Sequence, residues 1–114
     1  MSFYECTFIM RQDIPAHDVQ RAGDSFMELI SNFKVELIKR EHWGLRTLEF
    51  EVNKNKKGHY VMLCLEAEPA AIRELERHFK ISEDVLLYMS LKCDSIDPDP
   101  SPMMSAPADI KSVN

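Results

Sequence analysis

Three lysines fall within the six residues Asn53-Lys54-Asn55-Lys56-Lys57-Gly58, dense enough to hold several ammonium groups against a phosphate backbone. Contacts of that kind depend on salt and are blind to base sequence. A solvated hairpin tip has the same composition, so the turn alone does not separate the two readings. Residues 34 to 57 carry Lys34, Lys39, Arg40, Arg46, Lys54, Lys56 and Lys57 against four glutamates, a local excess of the kind that attracts phosphate. Lys57 and Gly58 also open KGHYVMLC, which stands where an RNA-recognition motif places its third strand. There His59, Val61 and Cys64 occupy positions that need stacking rings, so base stacking is not expected.

Other reactive side chains form no recognisable constellation. His17, His42, His59 and His78 fall on four different segments, without HxxxH or CxxC spacing, and no metal or other cofactor is expected. Cys6, Cys64 and Cys93 are odd in number and far apart, which points to reduced thiols. The pairs Asp13/Asp18 and Glu74/Glu76 fall on a helix cap or an exposed helical face, where solvated charge is the ordinary reading. An acylphosphatase-like enzyme needs a phosphate-cradling loop after its first strand. The segment RQDIPAH, residues 11 to 17, has no glycine and puts Asp13 where an anion would be repelled. No catalytic residues are assigned, and the chain is not expected to be an enzyme.

The elements that must position the lysines follow from periodicity. Residues 3 to 10 alternate as a strand, and a helix capped by Asp13 with Pro15 in its first turn carries Val19, Ala22, Phe26, Leu29, Ile30 and Phe33 at helical spacing through residue 33. Gly23 within it is read as tolerated, at a cost of roughly 1 kcal/mol. A short strand from Val35 to Arg40 runs through a bend or bulge at Gly44 into a long hairpin spanning His42 to Glu68. Leu48, Phe50 and Val52 share one face of its first arm; Val61, Leu63, Leu65 and Ala67 share one face of its second. Pro69 starts a second helix with Ala71, Ile72, Leu75 and Phe79 on one side. The nearly continuous apolar run VLLYMSLK, 85 to 92, reads as a central strand or as one whose open face meets a partner.

The order βαββαβ predicts an α+β, ferredoxin-like split βαβ fold: a four-stranded antiparallel sheet with two helices on one face and the other uncovered. Tyr60, Met62, Met89 and Leu91 are candidates for an apolar patch on that open face. With 114 residues, 45% of them hydrophobic, the chain suits one domain, residues 1–92. Residues 93–114 hold four of the six prolines, lack periodicity and read as a disordered or partner-ordered acidic tail. No apolar run approaches the ~20 residues of a membrane span, and the first ten residues lack a targeting pattern, so a cytoplasmic location is expected. The net charge of -5 argues against strong binding to nucleic acid by this chain alone.

Residues 3 to 92 resemble the family of the sixth protein of the bacterial small ribosomal subunit. The resemblance is carried by Tyr4-Glu5, by WGLR at Trp43 to Arg46 with the following LEFEV, by the spacing from Lys54 to Gly58-His59-Tyr60, and by the closing VLLYMSLK. It implies a non-enzymatic component of the ribosome that binds small-subunit ribosomal RNA together with a small basic partner, the eighteenth small-subunit protein. Arg46, Lys54, Lys56, Lys57 and Lys92 are then the expected RNA contacts. Tyr60, Met62, Met89, Asp94, Asp97 and Asp99 are the expected partner contacts, with the tail lying along the basic protein. Neither DNA nor membrane is an expected partner, and the isolated chain is expected to be monomeric. The chain departs from the family pattern in lacking a second basic residue after Arg46, a tyrosine-proline pair at Phe50 and Glu51, and an arginine at Leu87, which weakens the implied RNA contacts. The competing reading from residues alone is a ferredoxin-like regulatory module that homodimerises and binds a small metabolite.

Overall fold

A computed structural model describes residues 1–105. Strand β1 (Ser2–Arg11) is followed by helix α1 (Ala16–Leu29), strands β2 (Val35–Val52) and β3 (Asn55–Ala67), helix α2 (Pro69–Ile81), strand β4 (Val85–Cys93) and a single-turn helix α3 (Pro102–Ser105). The strands form one antiparallel sheet in the order β2-β3-β1-β4, the ferredoxin-like arrangement expected from the sequence. β4 is therefore an edge strand, not a central one. Its apolar run instead supplies Leu87, Met89 and Leu91 to the face that no helix covers.

The core lies between the helices and the other face. Cys6, Phe8 and Met10 of β1, Val61, Leu63, Leu65 and Ala67 of β3, Val19 and Phe26 of α1, and Ala71, Ile72, Leu75 and Phe79 of α2 are buried together. Phe8, Phe26 and Phe79 meet with ring centroids 4.8–5.2 Å apart, so one residue from each layer locks both helices onto the sheet. Among the described residues no helix is long and apolar enough to cross a membrane.

Several local expectations are corrected. Asp13 does not cap α1: the cap residue is Pro15, without a side-chain bond, and the Asp13 carboxylate takes two bonds of 2.8 and 3.0 Å from Arg11 Nη1. The charge-assisted bonds to Arg11 engage both carboxylate oxygens. The helix ends at Leu29, where Ile30 and Ser31 turn back on Met27 and Glu28, so Leu29 is exposed while Ile30 remains in the core.

Gly23 is a close approach: a Cβ there would lie 2.9 Å from Arg40 Cζ. The arginine crosses α1 at this point to reach Asp24 (2.6 Å) and the Gln20 carbonyl (2.7 Å). β2 is one long strand, bulged where the register shifts between His42 and Gly44, and Gly44 has φ 83°. That is the bend anticipated at this glycine. Leu48 is buried beside Gly58, outside the helix-covered core, and Phe50 is 65% exposed. The cause is a further irregularity, between Thr47 and Val52, that lets the hairpin tip project beyond the sheet.

Candidate nucleic-acid and protein interface

The lysine-rich turn is a two-residue hairpin connection. Val52 pairs with Asn55, and the central residues Asn53 and Lys54 both have positive φ, 46° and 65°. This is the type I′ geometry that matches the twist of the flanking strands. Asn55 fixes the turn to the body of the protein. Its Nδ2 donates to the Val52 and Asn53 carbonyls at 3.3 and 2.9 Å, and its Oδ1 accepts the Gln12 amide at 3.0 Å. Gln12 returns the contact by accepting the Lys57 amide at 3.2 Å. Lys54 and Lys56 are exposed and Lys57 half-buried on this anchored tip. Neither Gln12 nor Asn55 was singled out from sequence; the only available signal was an asparagine on each side of Lys54.

The wider basic stretch is not one patch. Lys39 and Arg40 are neighbours in a strand and so point to opposite faces. Lys39 Nζ donates to the Asp99 carbonyl (2.7 Å) and lies 3.4 Å from Glu41, while Arg40 is held on the helix side by Asp24. Arg46 stands opposite Gly58, near the tip, with Nε on the Trp43 carbonyl (3.0 Å) and Nη2 on the Met103 carbonyl (3.2 Å). Lys92 is exposed opposite Tyr4, which pairs with Leu65. Seven residues of β3 separate Leu65 from Gly58, about 23 Å at ~3.3 Å per residue. Lys92 is thus not brought together with the tip.

Three of the six expected partner residues lie together. Tyr60, Met62 and Met89 line a groove of about 510 Å³ on the open sheet face, together with Trp43, Leu87 and Leu91. Trp43 stacks on Tyr60, with ring centroids 6.2 Å apart and planes 22° from parallel. Met62, 6% exposed, forms floor, whereas Met89, 56% exposed, forms rim.

Beside the groove the chain after β4 folds back over β2. Glu41, only 3% exposed, accepts the Ser101 amide (2.8 Å), the Ser101 hydroxyl (2.5 Å) and the Trp43 indole N–H (2.8 Å). Burial works to raise the Glu41 pKa, but the Ser101 hydroxyl, Trp43, the Ser101 amide and Lys39 override it and bring it to about 2. Ordering of the tail by its own domain is a third arrangement, beyond the disorder or partner-ordering read from composition. Its cause is a carboxylate that burial would otherwise leave short of donors. Asp94, Asp97 and Asp99 are exposed along this segment. Residues 106–114 of the expected tail lie outside the described residues.

Arg11 is engaged by both Asp13 (2.8 Å) and Asp84 (2.7 Å), and burial pushes the Cys6 and Cys64 thiols up to about 11. Among the described residues no three His, Cys, Asp or Glu side chains group to hold a metal ion.

A family model described as Ribosomal protein S6 matches residues 3–92. The small ribosomal subunit protein bS6 of Rickettsia canadensis is 43% identical over 104 residues, covering 91% of this chain and 86% of the relative. Its counterpart in Rickettsia prowazekii is 41% identical with the same coverage. The crystal structure of 30S ribosomal protein S6 from Thermotoga maritima superposes with a TM-score of 0.75 at 19% identity, covering 81% of this chain and 87% of that one, a likeness of fold. With the family match reaching all four strands and both core helices, the chain belongs to the ribosomal protein S6 family of the small ribosomal subunit.

Proposed function

We propose that this chain binds small-subunit ribosomal RNA through its hairpin tip while its open sheet face receives a small basic ribosomal protein, the eighteenth of the same subunit. Membership of the family makes it a structural component of the bacterial small subunit, working on the cytoplasmic ribosome. The observation that carries the finer reading is the division of the surface. A tip with Lys54, Lys56 and Lys57 is pinned by Asn55 and Gln12 at one end, and an apolar groove around Tyr60, Met62 and Met89 opens on the sheet. Pinning lowers the entropy lost when the lysines meet phosphates. Arg46 adds charge near the tip. Lys92 reaches only RNA that passes the far end of the sheet.

Because the chain is acidic overall, its RNA affinity alone is weak and rises when the basic partner binds. The test is a salt titration of RNA binding by the chain with its partner, wild type against Lys54→Gln/Lys56→Gln/Lys57→Gln. The slope of log affinity against log salt should fall by about 2 to 3, at ~0.7–0.9 per phosphate contact. An unchanged slope would make the turn a solvated tip. The uncovered apolar face also fits a homodimeric regulatory module. A monomeric mass for the isolated chain in size-exclusion chromatography with light scattering goes against that reading.

A further inference from the structure

Cross-strand register assigns the charged groups of the open face. Glu5, Glu36, Glu41 and Glu66 lie on it, opposite or beside Cys64, Met62 and one another, against Lys39, Arg46 and Arg11, the last of which is held by Asp13 and Asp84. Lys39 and Arg46 donate to carbonyls of the folded-back tail, of Asp99 and Met103 respectively. Of these carboxylates Glu5 lines the apolar groove, and Glu41 lies two residues from Trp43, which also lines it. The tail beside it is held by hydrogen bonds with Lys39, Arg46 and Glu41, and none of residues 94–105 is buried. Segments held in that way sit at the low end of local stability and open without unfolding the core.

We propose that residues 94–105 are a displaceable clasp, in which Ser101 holds the place on Glu41 that a basic side chain of the partner takes in the complex. The inference rests on the reading of the open face as the partner's site. Glu41 is what makes the exchange selective. An apolar partner that lifted Ser101 away would leave a buried carboxylate with Trp43 and Lys39 but without its two closest tail donors. Only a partner that brings N–H donors and positive charge restores them. The released segment then offers Asp94, Asp97 and Asp99 to the same basic protein, so the clasp is exchanged for intermolecular contacts of like kind.

The clasp lowers the partner's apparent affinity by the fraction of molecules in which it is open. Calorimetric titration of the full chain with the purified eighteenth small-subunit protein separates the outcomes. Ser101→Ala, which weakens the clasp and spares the site, is expected to tighten binding by up to about tenfold. Glu41→Gln, which loosens the clasp but removes the charge the partner reads, is expected to weaken binding about tenfold. In hydrogen exchange the Ser101 amide should be protected in the free chain and lose protection in the complex. Equal or weaker binding by Ser101→Ala, or an amide that stays protected in the complex, would overturn the clasp while leaving the partner site in place. If the wild-type chain does not bind the protein at all, the reading of the open face fails and the clasp with it.

Discussion

Gly58 gives the most direct measure of how closely β1 and β3 approach. A Cβ built there would sit 2.4 Å from Ile9 Cγ2 and 3.1 Å from the Met10 carbonyl oxygen, with Leu48 Cδ2 at 3.5 Å. The carbonyl belongs to a strand paired on both sides, so it has little freedom to move. Ile9, 8% exposed, would have to leave its rotamer. Forcing one methyl into such a space costs about 1–3 kcal/mol. Alanine recovers roughly 0.5–1 kcal/mol by restricting the unfolded chain. Gly58→Ala is therefore expected to destabilise the domain by about 1–2 kcal/mol, a thermal midpoint lower by roughly 5–10 °C for a domain of this size. Urea unfolding followed by circular dichroism measures it, with an unchanged slope against denaturant. RNA affinity per folded molecule should stay within about twofold, because the glycine is buried beside β1. A variant as stable as wild type, or one that folds normally and loses RNA binding, would refute the packing argument and return Lys57-Gly58 to an RNA-reading role.

Lys54 carries positive φ at a turn position suited to glycine, so Lys54→Gly should stabilise the hairpin by about 1 kcal/mol in thermal melts while weakening RNA binding. A loss of stability would mean that the lysine side chain contributes packing at the tip. Glu41, with its pKa lowered from 4.5 to about 2, contributes stability that is present above the unfolded value and lost as pH falls from about 5 toward 2. The shift sets an upper limit of ~3 kcal/mol, so the wild-type advantage over Glu41→Gln in chemical unfolding should shrink steadily across that window. An advantage of constant size from pH 6 to pH 2.5 would show that the carboxylate is not held by its donors.

Some of this molecule is determined by local pattern alone. The alternation of Val61, Leu63, Leu65 and Ala67 placed four fully buried side chains on one face, and the 3.6-residue spacing of Ala71, Ile72, Leu75 and Phe79 did the same for α2, because periodicity is a property of a segment by itself. Gly44 marked its bulge, and Tyr60, Met62 and Met89 proved to share a groove, since alternation and strand order together decide which side chains face one way. What depended on distant residues was decided only by the tertiary structure. Asp13 was a cap by position but an ion-pair partner by the proximity of Arg11, and Gly23 looked tolerated until Arg40 was seen to cross the helix at that point. The run of cations from Lys34 to Lys57 divided between two faces and a projecting tip. The tail, aperiodic and proline-rich, carries no segment-level signal for docking. Its place was set by Glu41, sixty residues earlier, because a buried carboxylate requires donors from whatever chain can reach it.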